Sequence, residues 1–344
     1  MTVSSPSRSA ASGRRGIRFR PSAGLMTPGD VAELAAYAEA ERAAVRIDPR
    51  AAITVLHPHR GPGGSPGADA APPRLSVPEW DGARSSWHVL CSALTGRAGG
   101  VRDVRAPAEE LARLLAQRDP PVSTRDPLVT VDDGRGDVAG GHAPLSVIAS
   151  DIGGYLLEVS GTPVGLRIPD RELTRAVDAV VELLEAEPRA AAPRAVETAA
   201  DGRGTAAGAG ALAPAVHRLL RDVPEVAELP EQTGTVPSGA DGAAAADIGW
   251  FDHDAGGGVT LGAAIDGAVL DARRLQFLAA IGCAVIVGPR RTLLLCDLGE
   301  GAAEQVVRVL APMGFVFDAA SPTVRELHLS CAPPSPGSAP NAAP

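Results

Sequence analysis

The 344-residue chain is 45% hydrophobic but only 3% aromatic, and its formal net charge is −9. This length and apolar content suit two modest globular domains, whereas the scarcity of stacking side chains and the negative charge exclude a nucleic-acid-binding surface. Because there is no apolar run of about 18 residues and the Ser-rich N-terminus lacks the apolar stretch of a secretory signal, we expect a cytoplasmic protein with no membrane partner.

An internal duplication is the most informative structural pattern in the chain. Its first copy predicts a strand over 17–20, a helix capped by Thr27, a strand over 45–47, a turn at Asp48–Arg50 and a strand over 53–56. The helix begins with a capping-box pattern and has proline at its first position, which together favour a helix start.

The second copy repeats the same order of elements. It comprises a strand over 259–261, a helix capped by Asp271, a strand over 284–287, a turn at Gly288–Arg291, a strand over 292–296, a helix over 300–310 and a strand over 315–317. Each copy therefore has a Pro-Arg turn before its last shared strand, and Arg50 and Arg290 occupy equivalent turns. Such a repeat is typical of a ferredoxin-like α+β unit.

The segment between the two copies predicts an α/β domain with a mixed sheet and an amphipathic helix that Asp170 caps. Stretches dominated by Gly, Pro, Ala and Ser have no apolar period and predict linkers or tails. The predicted organisation is disordered 1–13, first half-domain 14–60, linker 61–76, α/β domain 77–188, Ala/Gly-rich linker with one short helix 189–245, second half-domain 246–330 and disordered tail 331–344.

The four cysteines are scattered along the chain, and they are Cys91, Cys283, Cys296 and Cys331. No pair has the spacing of a CxxC site, so neither a metal-binding knuckle nor a disulfide framework is predicted.

The order of these segments resembles the nitrite/sulfite reductase family, and most closely its precorrin-3B synthase branch. Three stretches carry the resemblance: Ser92–Gly100, Val131–Val138, and the block from Ile248 to Gly314. The resemblance implies an α+β fold in which two ferredoxin-like half-domains flank a nitrite/sulfite-reductase-type α/β domain.

It also implies a function. Members of this branch oxidise the tetrapyrrole precorrin-3A with molecular oxygen in cobalamin biosynthesis, using a [4Fe-4S] cluster and non-haem iron, with an electron donor protein as a possible partner. In this branch, arginines bind the carboxylates of the macrocycle, because a guanidinium pairs bidentately with a carboxylate. The substrate-binding residues that the resemblance implies are Arg50, Arg135, Arg290 and Arg291.

The chain departs from the family pattern at several of these positions. Of the polar run that faces the tetrapyrrole in relatives only Arg50 persists, since the chain continues with apolar residues to His57. Arg291 matches a family arginine, and Arg290 replaces a tryptophan. The Cys-x5-Cys motif is reduced to Cys331, a lone candidate metal ligand, so a standard cluster is not expected.

Two hypotheses of function follow. The first is a precorrin-3B synthase-like oxidoreductase, and the second is a non-catalytic tetrapyrrole-binding or scaffold relative. A third explanation of the missing motif is a reading frame that departs from the natural one near Cys331. The segments His57–His59 and Asp252–Asp254 contain ligand types that non-haem iron accepts, but polar turns explain them better.

Overall fold

The computed structural model describes residues 18–57, 73, 75, 87–118, 127–139, 143–186, 209–229 and 247–329. The helices are α1 (Pro28–Glu41), α2 (Arg105–Leu115), α3 (Leu173–Ala186), α4 (Ala209–Leu220), α5 (Ala272–Ile281), α6 (Glu300–Leu310) and α7 (Pro322–Leu329). The strands are β1 (Arg18–Phe19), β2 (Leu25–Met26), β3 (Ala44–Ile47), β4 (Ile53–Leu56), β5 (His88–Cys91), β6 (Leu128–Asp132), β7 (Leu145–Ala149), β8 (Tyr155–Val159), β9 (Thr162–Ile168), β10 (Ala227–Glu228), β11 (Gly249–Asp252), β12 (Val259–Ile265), β13 (Val269–Leu270), β14 (Val285–Val287), β15 (Thr292–Leu298) and β16 (Phe315–Val316).

The two duplicated halves exchange short strands with each other. One sheet has the order β1-β4-β3-β13, so it takes β13 from the second copy. The other has the order β11-β12-β15-β14-β2, with β16 on β12, and it takes β2 from the first copy. Because each half completes the sheet of the other, the two copies form one joint body around a shared core.

Helices α1 and α5 pack against each other at the centre of this body and begin with side-chain caps. The Thr27 hydroxyl accepts from the Asp30 amide and the Asp30 carboxylate accepts from the Thr27 amide, which is the predicted capping box. Asp271 caps α5 by accepting from the Arg274 amide at 2.8 Å. Buried aliphatic side chains of both helices enter one core with the strands, including Val31, Leu34, Leu275 and Leu278.

The segment between the copies builds a mixed sheet of order β10-β9-β8-β7-β6-β5. Strands β5, β6 and β7 are parallel, and the remaining pairs are antiparallel. Residues of α2, α3 and α4 bury their apolar faces in the core of this sheet. Because the parallel strands end at one edge, the residues that follow β5 and β6 lie side by side there.

One local expectation needs correction. Asp170 does not cap α3; it begins a 3-10 turn over Asp170–Glu172 and pairs with Arg102 at 2.7 Å, so a neighbouring cation has replaced the helix amide as its partner. Within the range 189–245, α4 packs on the mixed sheet and β10 pairs with β9. Among the described residues, no helix is long and apolar enough to cross a membrane.

Candidate functional site

The turn of the first half-domain is held together by its own aspartate. The Asp48 carboxylate accepts from the amides of Arg50 at 2.8 Å and Ala52 at 3.0 Å, and it pairs with Arg18 at 2.6 Å. Ala51 has a φ of +58°, a left-handed conformation that is costly for a residue with a Cβ. These hydrogen bonds stabilise the strained turn and fix the backbone of Arg50.

The equivalent turn of the second half-domain is built differently. Arg290 and Arg291 have φ values of +56° and +67°, so two consecutive residues are left-handed. The Thr292 hydroxyl donates to the Pro289 carbonyl at 2.9 Å, and a Cβ on Gly288 would lie 2.3 Å from that hydroxyl oxygen. A side chain at position 288 would therefore force Thr292 to move.

The two Pro-Arg turns meet in the folded protein. The Arg290 amide donates to the Pro49 carbonyl at 2.8 Å. This hydrogen bond joins the second copy of the repeat to the first. Arg20, which is only 6% exposed, donates from Nε to the Arg50 carbonyl at 3.0 Å. The backbones of the turns that contain Arg50, Arg290 and Arg291 thus lie next to each other.

Next to these turns lies the aspartate-rich loop that follows β6. Asp132 is fully buried, and its two oxygens accept from four backbone amides of the loop, those of Gly134, Gly136, Val138 and Ala139, at 2.8–3.1 Å. Such a carboxylate uses all of its acceptor capacity on the loop backbone. Its role is to hold the loop in shape.

Arg135 is held inside this loop by two further aspartates. Its Nε donates to both oxygens of Asp133, at 3.0 and 3.2 Å, and its Nη2 donates to Asp137 at 3.1 Å. Ser92, which follows β5, donates to Asp137 at 2.5 Å and accepts from the Asp133 amide. A Cβ on Gly100 would lie 2.6 Å from an Asp133 carboxylate oxygen. Gly100, the last residue of the Ser92–Gly100 stretch, therefore leaves space for this carboxylate.

Arg290 connects its turn to the aspartates. Its Nη1 donates to the Asp137 carbonyl at 3.3 Å, and its Nη2 lies 3.9 Å from an oxygen of Asp247. Asp247 is 1% exposed, and neither of its carboxylate oxygens has a hydrogen-bond partner among the described residues. We call Asp132, Asp133, Asp137 and Asp247 the aspartate cluster.

Burial dominates the electrostatics of this cluster. It raises the pKa of Asp137 well above its ordinary value, and the nearby charge of Asp247 raises it further. Burial also raises the pKa of Asp247, with Arg290 and Arg135 opposing the shift. Asp133 shows the same direction for the same first cause, opposed by Arg135. Burial therefore favours the neutral form of these carboxyl groups, and the neighbouring arginines oppose that shift.

The three described cysteines, Cys91, Cys283 and Cys296, do not fit an iron-sulfur cluster. Cys91 and Cys296 are buried, and burial raises the pKa of Cys283 and of Cys296 to about 11, which keeps both as thiols. Across the described ranges, the only group of three or more potential ligands that converges is Asp132, Asp133 and Asp137. Cys331, the candidate remnant of the cluster motif, lies outside the described residues.

The two histidine segments make ordinary hydrogen bonds. His57 Nε2 lies 3.0 Å from the Tyr37 hydroxyl, and His253 Nε2 lies 3.0 Å from the Thr260 hydroxyl. The Nε2 atom of each of these two histidines is therefore used in a hydrogen bond with a neighbouring hydroxyl. His59 lies outside the described residues.

Sequence reasoning missed three members of this site, namely Arg20, Ser92 and Asp247. Ser92 lay inside a matched motif, and its position after a parallel strand was an available signal, because polar residues at that edge commonly bind ligands. Asp247 gave no signal, since an isolated aspartate before a strand resembles any solvated residue.

No protein-family model and no curated protein matches this sequence. Among solved structures, the NirA protein of Mycobacterium tuberculosis is similar, with a TM-score of 0.62 at 16% sequence identity. The match covers 88% of this chain and 57% of the NirA chain, so this chain spans little more than half of that protein. The likeness confirms the predicted fold class, an α+β fold of the nitrite/sulfite reductase type, and at this identity it shows the fold alone.

Proposed function

We propose that this chain binds a tetrapyrrole through the carboxylates on the rim of the macrocycle, at the place where the two Pro-Arg turns meet. The observation that supports this most directly is the hydrogen bond from the Arg290 amide to the Pro49 carbonyl. It brings together arginines from both copies of the repeat, which a flat ligand with several carboxylates requires.

The arginines have different roles in this proposal. Arg50 and Arg291 are the principal carboxylate contacts, because a guanidinium keeps its charge and offers paired donors. Arg135 already donates to Asp133 and Asp137, so it orients the loop and contributes less to the ligand. Arg290 has a structural role: its amide donates to the Pro49 carbonyl of the other turn, and its side chain donates to the Asp137 carbonyl.

A more specific hypothesis is that the ligand is precorrin-3A and that the chain oxidises it with oxygen, as the precorrin-3B synthase branch does, with electrons from a donor protein. This reading requires an iron-sulfur cluster that the described cysteines do not support. We therefore favour tetrapyrrole binding without cluster-dependent redox chemistry as the function of this chain.

Binding is tested by titrating the protein with uroporphyrin, a porphyrin with eight carboxylates, while its absorbance and the quenching of tryptophan fluorescence are recorded. We expect the double variant Arg50→Gln/Arg291→Gln to weaken binding at least ~10-fold, because each lost charge-assisted pair contributes on the order of 1.5–3 kcal/mol. Arg308→Gln is the matched control, since Arg308 is 77% exposed and pairs only with Glu304 among the described residues.

Unchanged affinity in the double variant, with a native circular dichroism spectrum, contradicts the proposed contacts. Coproporphyrin, with four carboxylates, should bind more weakly than uroporphyrin if the rim carboxylates carry the affinity. Equal affinities for the two porphyrins would show that stacking rather than the arginines holds the ligand.

The redox hypothesis has its own test. Anaerobic purification and reconstitution, followed by iron and sulfide analysis, should give less than about one iron per chain, because a cubane needs about four thiolate-type ligands. About four irons and four sulfides per chain that are lost in Cys331→Ser would instead restore the oxidoreductase hypothesis.

A further inference from the structure

We propose that Arg97 and Asp297 form a salt-sensitive clasp that holds the α/β domain against the second half-domain. The Nε and Nη2 atoms of Arg97 donate to the two carboxylate oxygens of Asp297, each at 2.8 Å. Arg97 lies in the loop that follows β5, and Asp297 lies on β15, so this contact joins the two domains. The inference goes beyond ligand binding, because it concerns how the domains are held relative to each other.

The backbone of Asp297 is strained at this contact. Residues 259–261 of β12 face residues 295–298 of β15, so β15 has one residue more in this interval and forms a β-bulge. Asp297 lies in the bulge with a φ of +61°, in the left-handed region that favours glycine. A bulge changes the direction in which a side chain points, and such strain persists only where surrounding contacts fix it. Here the contact that fixes it is the pair with Arg97.

The turn between β11 and β12 holds the backbone of the same loop. The Asp254 amide donates to the Arg97 carbonyl at 2.8 Å, and the Gly99 amide donates to the Asp254 carboxylate at 2.9 Å. In the same turn, His253 Nε2 lies 4.0 Å from a carboxylate oxygen of Asp297. The second half-domain therefore holds Arg97 through both its side chain and its carbonyl.

Burial and geometry make this pair stronger than an ordinary surface ion pair. The Arg97 side chain is only 13% exposed, and two parallel hydrogen bonds to one carboxylate are the strongest arrangement of such a pair. The hydrogen bonds from Arg97 hold the pKa of Asp297 below its ordinary value, so this carboxylate is charged at neutral pH. Because the Asp297 side chain is 57% exposed, dissolved salt screens the pair. The clasp should therefore weaken as ionic strength rises.

The Ser92–Gly100 loop connects the clasp to the aspartate cluster. At the start of this loop, the Ser92 hydroxyl donates to Asp137 and accepts from the Asp133 amide. Between Ser92 and the clasp, Leu94 is buried in an apolar cluster with side chains of the second half-domain. The clasp and Ser92 thus hold opposite parts of one loop, and loss of the clasp should also loosen the hydrogen bond to the Asp133 amide.

The test measures backbone amide exchange in the whole chain by hydrogen–deuterium exchange mass spectrometry. Asp297→Asn removes the charge at nearly constant volume, and asparagine tolerates the left-handed conformation. We expect exchange about 5-fold faster in peptides that contain Gly99 or Asp254, and a smaller acceleration around Asp133. Glu304→Gln is the matched control, because it removes an exposed ion pair within α6 of the same half-domain, and it should change none of these peptides.

Further variants separate the ion pair from the bulge. Arg97→Gln should give the same acceleration as Asp297→Asn, and the double variant should add nothing, because both changes remove one shared contact. Asp297→Gly relieves the backbone strain but lacks the carboxylate, so its loop should exchange as fast as that of Asp297→Asn. About 1 M NaCl should accelerate exchange of the loop in the wild type and have no such effect in Asp297→Asn.

Exchange in Asp297→Asn and Arg97→Gln that equals exchange in Glu304→Gln overturns the proposal. Additive acceleration in the double variant also overturns it, because the two side chains would then act through separate contacts. A loop that exchanges at the wild-type rate in Asp297→Gly would show that the carboxylate does not hold it. These measurements use no ligand, so their failure leaves the uroporphyrin titration unaffected.

Discussion

The two Pro-Arg turns share a sequence pattern and a strained backbone, but they are stabilised in different ways. In the first, the Asp48 side chain accepts from two amides of its own turn and pairs with Arg18 on the adjacent strand. In the second, no aspartate stands at the equivalent position, and Arg290 makes its hydrogen bonds to Pro49 and Asp137, in the first half-domain and the α/β domain. The first turn is self-contained in the sense that its side-chain contacts come from its own half-domain. The second turn has local hydrogen bonds as well, and it adds contacts with the first half-domain and the α/β domain.

This difference shows how a duplicated element can diverge. In the first copy, a side chain of the turn stabilises the turn itself. In the second copy, the Arg290 side chain contacts the aspartate cluster instead.

The largest effect is expected for Asp48→Ala. It removes hydrogen bonds to two amides and the ion pair with Arg18, and it leaves the turn around the left-handed Ala51 with its backbone hydrogen bonds alone. We expect a loss of about 3 kcal/mol in the free energy of unfolding, measured by urea denaturation, since hydrogen bonds to a charged acceptor contribute ~1.5–3 kcal/mol each. A loss no greater than that of the exposed Asp222→Ala would show that the first turn is not self-contained.

Arg290→Met should have the next largest effect. It retains apolar bulk but leaves the buried Asp247 without its nearest cation and the Asp137 carbonyl without its donor. We expect a loss of about 2 kcal/mol, below the range for a fully buried pair because Arg290 is partly exposed. The double variant Arg290→Met/Asp247→Asn should recover part of this loss. Additive losses would contradict the coupling of the two side chains.

The pH dependence of the free energy of unfolding should report the buried aspartates that lie next to the second turn. Burial raises the pKa of Asp137 and of Asp247. A carboxyl whose pKa is higher in the folded state binds protons preferentially there, so stability falls as pH rises from the unfolded value of ~3.9 through the folded pKa. The fall in the free energy of unfolding across this window should be shallower in Asp247→Asn, because the variant lacks one of the carboxyls with a raised pKa. Parallel curves for the variant and the wild type would contradict the assignment.

The smallest effect is expected for Thr292→Val, which removes the side-chain hydrogen bond from the Thr292 hydroxyl to the Pro289 carbonyl. The cost should be about 1 kcal/mol, the usual contribution of a neutral hydrogen bond, because the backbone hydrogen bonds between Gly288 and Thr292 and between Thr292 and Pro289 remain. Thr174→Val, which removes an exposed hydrogen bond to Glu110, is the control. A loss as large as that of Asp48→Ala would remove the contrast between the turns.

Local patterns predicted the elements whose stabilisation is local. The capping box at Thr27, the cap at Asp271 and helix α6 over 300–310 lie where their residue patterns placed them. Asp170 was assigned wrongly, because Arg102 from another part of the fold pairs with it and replaces the helix amide. The domain limits and the roles of Arg50, Arg135, Arg290, Arg291 and Cys331 stay predictions.

By itself, the sequence determined the repeat, the fold class and the presence of two equivalent arginine turns, because apolar periodicity and turn residues encode short-range structure. Only the tertiary structure decided which long-range neighbours these turns have. It placed Arg290 against Pro49 and Asp137, enclosed Arg135 between two aspartates, and buried Asp247 beside them. Those contacts join residues that are distant along the chain, and their charges acquire a cost or a function only when the fold removes them from water.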